Sequence, residues 1–135
     1  AGVCIEDKLF PKLNSFVEGD HALASAADFA AKIRAAVESR RSSDLVVVAR
    51  IEALISGHGL DEALRRARVY ERAGADALLI HSKQPDPRQV FAFRERYRGS
   101  LPVIVIPTTY HQVTAAELAE RGFGMVIYAN HMMRA

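Results

Sequence analysis

Five short apolar runs alternating with four helical patterns are the feature that most constrains this chain. The runs are Val3-Cys4-Ile5, Asp44 to Ile51, Ala77 to Ile80, Leu101 to Ile106 and Met125 to Tyr128. Between them, Ser25-Ala26-Ala27-Asp28 has the form of a capping box, with Phe29, Ile33 and Val37 on one face of a helix running to about Arg40. Leu60, Leu64, Ala67 and Tyr70 mark a second helix that stops at Ala73, with Gly74 as its C-terminal cap. Asp86 before Pro87 predicts the N-cap of a third helix reaching about Arg98, and Thr114 to Glu117 a second capping box before a helix that ends at Gly122. The run from Asp44 to Ile51 is nearly continuous in apolar residues, which predicts a strand buried on both faces.

Strict alternation of this kind dictates a parallel sheet joined by right-handed crossovers, either doubly wound or an arc of a (β/α)8 barrel. No glycine-rich dinucleotide fingerprint follows any strand, so the barrel is the preferred reading. A full TIM-type barrel takes about 250 residues and eight strands. The expected fold class is therefore α/β, a C-terminal portion of such a barrel with about five parallel strands, residues 1–135 forming a single partial domain. An open inner face and two open edges would make it incomplete for function by itself.

One connection is unlike the rest. From Asp7 to about Ser25 no clear period appears, and connections longer than about 12–15 residues are more often binding loops or lids than spacers. It carries both charge signs, Pro11, Asn14, and the apolar residues Leu9, Phe10, Leu13 and Phe16 with which to pack down. The segment reads as a lid over a polar site that starts at Glu6.

The polar residues cluster at the carboxyl ends of the strands, where barrel active sites are built. These are Glu6-Asp7-Lys8, Arg50 with Glu52, His81-Ser82-Lys83, Thr108-Thr109-Tyr110 and Asn130-His131. Arg50, Lys8, Lys12, Lys83, His81 and Asn14 would make a donor-rich ring suited to a small substrate with several negative charges, Arg gripping oxygen pairs and Lys supplying a mobile charge. Glu6 breaks the sign; a carboxylate among such cations pairs with them or supports a hydrated divalent metal, and Mg²⁺ often takes only one or two carboxylates. The bland alternatives are a rim salt bridge between Arg50 and Glu52, a satisfied core imidazole at His81, and a helix cap at Asn130-His131. No role is assigned to His21, His58 or His111.

Composition removes several classes. A net charge of +2 with both signs interspersed offers no stripe for nucleic acid, and the longest apolar runs fall far short of the roughly 20 residues a membrane span needs. The single cysteine, Cys4, excludes an internal disulfide, suits a reducing compartment and reads as core packing. The expectation is a soluble cytoplasmic protein.

The segments GVCIEDKLFPKLNS, VVARIEALISGHGLDEALRRARVYERAGADALLIHSK, VIVIPTTY and MVIYANHMMRA together resemble the phosphoenolpyruvate mutase (phosphoenolpyruvate phosphomutase) family of the isocitrate lyase superfamily. The resemblance covers nearly the whole chain, and the EDKxFPKxNS, VARxEA and HSK elements occur in order. It implies a (β/α)8 barrel that uses Mg²⁺ to interconvert phosphoenolpyruvate and phosphonopyruvate, the carbon–phosphorus bond-forming step of phosphonate biosynthesis. By motif, Glu6 would support the metal through its water shell, Arg50 and His81 would hold the phosphoryl group, and Lys12 and Asn14 would arrive with the lid, Asn14 beside the migrating phosphorus. The family's main metal-binding aspartates belong to earlier strands, and its members are homo-oligomers through a last helix that exchanges between subunits. Phosphonopyruvate hydrolase is similar through the same strands but has a threonine near the amide position, so Asn14-Ser15 favours the mutase. Carbon–carbon lyases of the superfamily carry a cysteine in the lid, which is absent here. A non-catalytic partial barrel is the reading from another class.

Overall fold

A computed structural model of the protein describes residues 1–11 and 21–129. Its elements follow the order β1 (Gly2–Glu6), α1 (Ala26–Ser39), β2 (Val46–Ile51), α2 (Gly59–Arg72), β3 (Ala77–Ile80), α3 (Arg88–Arg96), β4 (Val103–Val105), α4 (Ala115–Glu120) and β5 (Met125–Val126). All four strand pairs are parallel and the sheet runs β1-β2-β3-β4-β5. Spatial order thus equals chain order. A doubly wound sheet reverses direction at a switch point, and the absence of such a reversal among the described strands makes this an arc of a barrel.

The helices start and stop where local chemistry dictates. The Ser25 hydroxyl accepts from the Asp28 backbone N–H at 3.1 Å and donates to its carboxylate at 2.7 Å, opening α1. Thr114 and Glu117 form a full capping box at α4. Gly74, at φ +96°, turns the chain out of α2 in the left-handed region that a side chain would strain. The third helix departs from expectation: its N-cap is Pro87, and it ends at Arg96 rather than about Arg98. Asp86 still satisfies the first turn, its carboxylate accepting from the Arg88 backbone N–H at 3.0 Å.

Alternation divides the strands between two faces. Ala49, Ile51, Leu78, Ile80, Val103 and Val105 pack under the helices with Phe29, Tyr70 and Phe93, while Ala77, Leu79 and Ile104 form a smaller cluster on the other face with Val48 and Ile106. Phe29 and Tyr70 meet edge to face, with centroids 4.8 Å apart, which locks α1 against α2. The expectation that β2 is buried on both faces is corrected: Val46 is 42% exposed and Val48 half-buried, because the inner face of β1 and β2 lies open among the described residues. Cys4 is corrected for the same reason, being exposed on that face rather than packed in the core.

Both ends of the long connection are tied down. Lys8 and Leu23 form an antiparallel bridge, the Leu9 N–H donates to the Ala22 carbonyl at 3.0 Å, and the Ala24 N–H donates to the Asp7 carbonyl at 2.9 Å. The apparent absence of pattern over 7–25 therefore conceals a paired stem at its two ends.

Candidate active site

Register places the polar residues before any side chain is considered. Glu6 is level with Arg50, Arg50 with Leu79 and Leu79 with Ile104, so these share the inner face of the arc. Two residues further along, period-2 alternation brings Lys8, Glu52 and His81 to the same face just past the strand ends. Asp7, the odd neighbour between Glu6 and Lys8, is turned to the helix side.

The inner-face group is densely paired. Arg50 Nε donates to Glu52 Oε1 at 2.6 Å and lies 3.5 Å from Glu6 Oε2. Arg50 Nη2 stands 2.7 Å from His81 Nδ1, which is 3.1 Å from Glu52 Oε1. The same geometry serves either tautomer, Nδ1 offering a lone pair to Arg50 or a proton to Glu52. Lys8 Nζ completes the set, 3.2 Å from Glu52 Oε2. Glu52 is fully buried and acts as the hub. Burial by itself would raise its carboxyl, yet the contact with His81 and the charge of Arg50 prevail and hold it well below the usual carboxylate range.

The sequence expectation that Glu6, Arg50 and His81 converge is met by these contacts. The bland readings are partly met as well, since Arg50 does pair with Glu52 and the His81 ring is buried. The pair is nevertheless no rim salt bridge, because its carboxylate has no exposure. None of these contacts involves Lys83, which is exposed. Lys12, Asn14, Asn130 and His131 lie outside the described residues. A recess of about 610 Å³ beside β1 is lined by Glu6, Lys8, Arg50 and, from α1, Lys32. Such a surface can receive an anion: cations on fixed strand ends supply donors, and the carboxylates between them keep those donors in place.

A second polar cluster lies behind the first, on the helix side, and sequence reasoning missed it. One oxygen of the buried Asp7 carboxylate accepts from the Glu52 backbone N–H at 2.9 Å. Its other oxygen accepts from Arg66 Nη1 at 2.9 Å and from the Tyr70 hydroxyl at 2.6 Å, both residues on α2. Arg66 also donates to the Ala24 carbonyl at 3.0 Å and to Glu62 at 2.7 Å. Burial, reinforced by the negative charge of Asp7, pushes the Tyr70 hydroxyl well above its ordinary value, so it stays a donor.

Among the described residues no three His, Cys, Asp or Glu side chains gather to hold a metal ion. Among the described residues lining the recess Glu6 is the single carboxylate, and its one charge, shared with Arg50, fits a supporting role to a hydrated divalent ion better than a direct cage.

Comparison with known proteins places this arrangement. A family model described as phosphoenolpyruvate phosphomutase matches residues 1–135. The phosphoenolpyruvate phosphomutase of Streptomyces hygroscopicus is 53% identical over the full chain, which spans 43% of that relative's length. The crystal structure of a phosphoenolpyruvate phosphomutase from Streptomyces platensis subsp. rosaceus superposes with a TM-score of 0.96 at 53% identity, over 98% of this chain and 46% of the other. A phosphonopyruvate hydrolase solved in complex with oxalate and Mg²⁺ superposes at 0.89 with 44% identity, over 98% of this chain and 45% of the other. The chain thus spans less than half the length of each of these three relatives. With its five parallel strands joined in chain order by four helices and the family model covering it throughout, the chain belongs to the phosphoenolpyruvate phosphomutase family, whose neighbours are barrels of the isocitrate lyase superfamily.

Proposed function

We propose that the whole protein is a phosphoenolpyruvate mutase, an isomerase that interconverts phosphoenolpyruvate and phosphonopyruvate in phosphonate biosynthesis, and that this chain supplies the C-terminal part of its barrel. The observation that carries the reading is the convergence of Glu6, Lys8, Arg50, Glu52 and His81 on one face at the carboxyl ends of β1, β2 and β3.

In the reaction the bond between phosphorus and the enol oxygen of phosphoenolpyruvate breaks, its electron pair staying on oxygen to become the carbonyl, while the enol carbon–carbon π pair forms the new bond between the methylene carbon and phosphorus. The transferring group is metaphosphate-like, and a protein assists it chiefly by position and by cationic donors. Arg50 and His81, fixed to neighbouring strands and joined at 2.7 Å, are suited to hold the phosphoryl oxygens throughout. Glu52 keeps both in place. Segment 7–25 would act as the lid, with Leu9 and Phe10 among the residues that exclude water, and Lys12 and Asn14 would enter with it, Asn14 next to phosphorus. Mg²⁺, when bound, would neutralise charge on the substrate oxygens, with Glu6 supporting it through water and the main ligands coming from strands outside this chain. The hydrolase bound to oxalate and Mg²⁺ supports that assignment of the ion. A homo-oligomer in the cytoplasm completes the proposal; a lone cysteine and the absence, among the described residues, of any helix long and apolar enough to cross a membrane agree with the location.

Phosphorus NMR of the full-length protein with phosphonopyruvate and Mg²⁺ tests this. The phosphonate resonance is expected to convert to a phosphate ester and the conversion to stop on chelation. Free phosphate with pyruvate would instead assign the hydrolase, the second reading, which the likeness at 44% identity supports less strongly than the 53% likeness supports the mutase.

A further inference from the structure

Arg66 and Tyr70 sit on α2, in the helix layer, and the chemistry assigned to the strand ends does not use them. Their polar atoms are nevertheless aimed at the sheet. Arg66 is 6% exposed and Tyr70 fully buried, and both converge on one oxygen of Asp7. An arginine and a carboxylate are not withdrawn from water together without strong geometric return, since desolvation costs several kcal/mol per ion. Here the return is structural. The other Asp7 oxygen fixes the Glu52 backbone N–H, and Asp7 lies in the chain between Glu6 and Lys8. Arg66 further donates to the Ala24 carbonyl, so one guanidinium holds residue 7 and residue 24, the two stems of the long connection.

We propose that Arg66 and Tyr70 are positioning residues for the anion site: through Asp7 they set where Lys8 and Glu52 stand on the inner face, and hence how Arg50 and His81 are presented. The path is contiguous, from the Tyr70 hydroxyl to Asp7, from Asp7 to the Glu52 main chain, and from the Glu52 carboxylate to Lys8, Arg50 and His81. The inference rests on the mutase reading for its catalytic consequence but not for the geometry it asserts.

The test uses Tyr70→Phe in the full-length protein, which removes the hydroxyl while keeping the ring against Phe29. Tyr97→Phe serves as the control, because Tyr97 is buried in the same helix layer and donates to a carboxylate, Glu71, away from the site. Hydrogen-bond partners that orient metal ligands change activity about 10–100-fold when altered, and the lower end of that range is expected for the longer relay behind Arg50 and His81. Tyr70→Phe is expected to lower kcat for phosphonopyruvate about tenfold or more and to shift the imidazole ¹⁵N resonances of His81, whereas Tyr97→Phe should stay within about twofold and leave them in place. Arg66→Lys, which keeps the charge but not the fork, should behave like Tyr70→Phe. Equal effects of Tyr70→Phe and Tyr97→Phe on both readouts would overturn the proposal. If the unaltered protein does not turn over phosphonopyruvate, the functional reading fails and the His81 resonances still decide the positioning role.

Discussion

Replacing Glu52 with glutamine keeps the side chain's shape and removes a charge from a place where it faces two cations and an imidazole. Glu52 has no exposure, and Lys8 and Arg50 stand 3.2 Å and 2.6 Å from its oxygens. At an effective dielectric of about 20, one unit pair at about 3 Å is worth about 5 kcal/mol before desolvation is subtracted. Measured losses on removing one member of a buried ion pair are about 3–5 kcal/mol, and we expect the lower end, about 3 kcal/mol, because the amide keeps one acceptor. That is a large part of a typical total of about 5–15 kcal/mol. Urea unfolding of the full-length protein reads it, as a fall in midpoint at constant slope. Lys8→Met in the Glu52→Gln background should then cost less than Lys8→Met alone, with a coupling of about 1–3 kcal/mol. A Glu52→Gln loss below about 1 kcal/mol, with additive double-mutant behaviour, would refute the view of Glu52 as the hub.

The remaining expectations concern pH and activity. The folded-state carboxyl of Glu52 lies below its unfolded value of 4.5, so its contribution to stability is complete above that pH and is lost as pH falls toward the folded value; urea midpoints between about pH 6 and 3 should drop more steeply in the unaltered protein than in Glu52→Gln. Arg50→Lys loses the planar fork that reaches Glu52 and His81 at once, and steady-state kinetics should show kcat/KM lower by about 100-fold, or about 2.7 kcal/mol. Asn14→Ala should abolish turnover while the circular dichroism spectrum and urea midpoint stay unchanged; retained activity would remove Asn14 from the mechanism.

How much of this was legible in the sequence follows from which interactions are local. The strands announced themselves as apolar runs, and the caps at Ser25 and Thr114 as short-range motifs, because each is decided within four residues. Glu6, Arg50 and His81 were legible because period 2 and a strand end suffice to aim them inward. Burial of Cys4 and of both faces of β2 was misread because an apolar run does not say whether a neighbouring layer covers it. Asp7 and Arg66 are 59 positions apart, so no local pattern pairs them. A signal did exist: Ala63, Arg66, Ala67 and Tyr70 lie on one helical face, and an arginine inside an apolar stripe requires a buried partner. It was hidden by Arg65 and Arg68, which make Arg66 look like one more solvated charge.

The division of labour in Glu6-Asp7-Lys8 follows from the same alternation. A strand must send successive side chains to opposite faces, so a tripeptide at its tip delivers two groups to the chemistry and one to the scaffold. Glu6 and Lys8 go inward, and Asp7 goes back to α2, where it anchors the other two. The charges that meet inside are balanced: Lys8 and Arg50 face Glu6 and Glu52. A neutral ensemble orients its donors well but attracts a multiply charged anion weakly, since attraction at a distance depends on net charge. Under the proposed function the substrate carries both a phosphoryl group and a carboxylate, so the surplus of positive charge has to come from elsewhere, from Lys32 at the recess, from Lys12 and from Mg²⁺. The strand ends then act as the rigid frame on which those charges are assembled around the phosphoryl group.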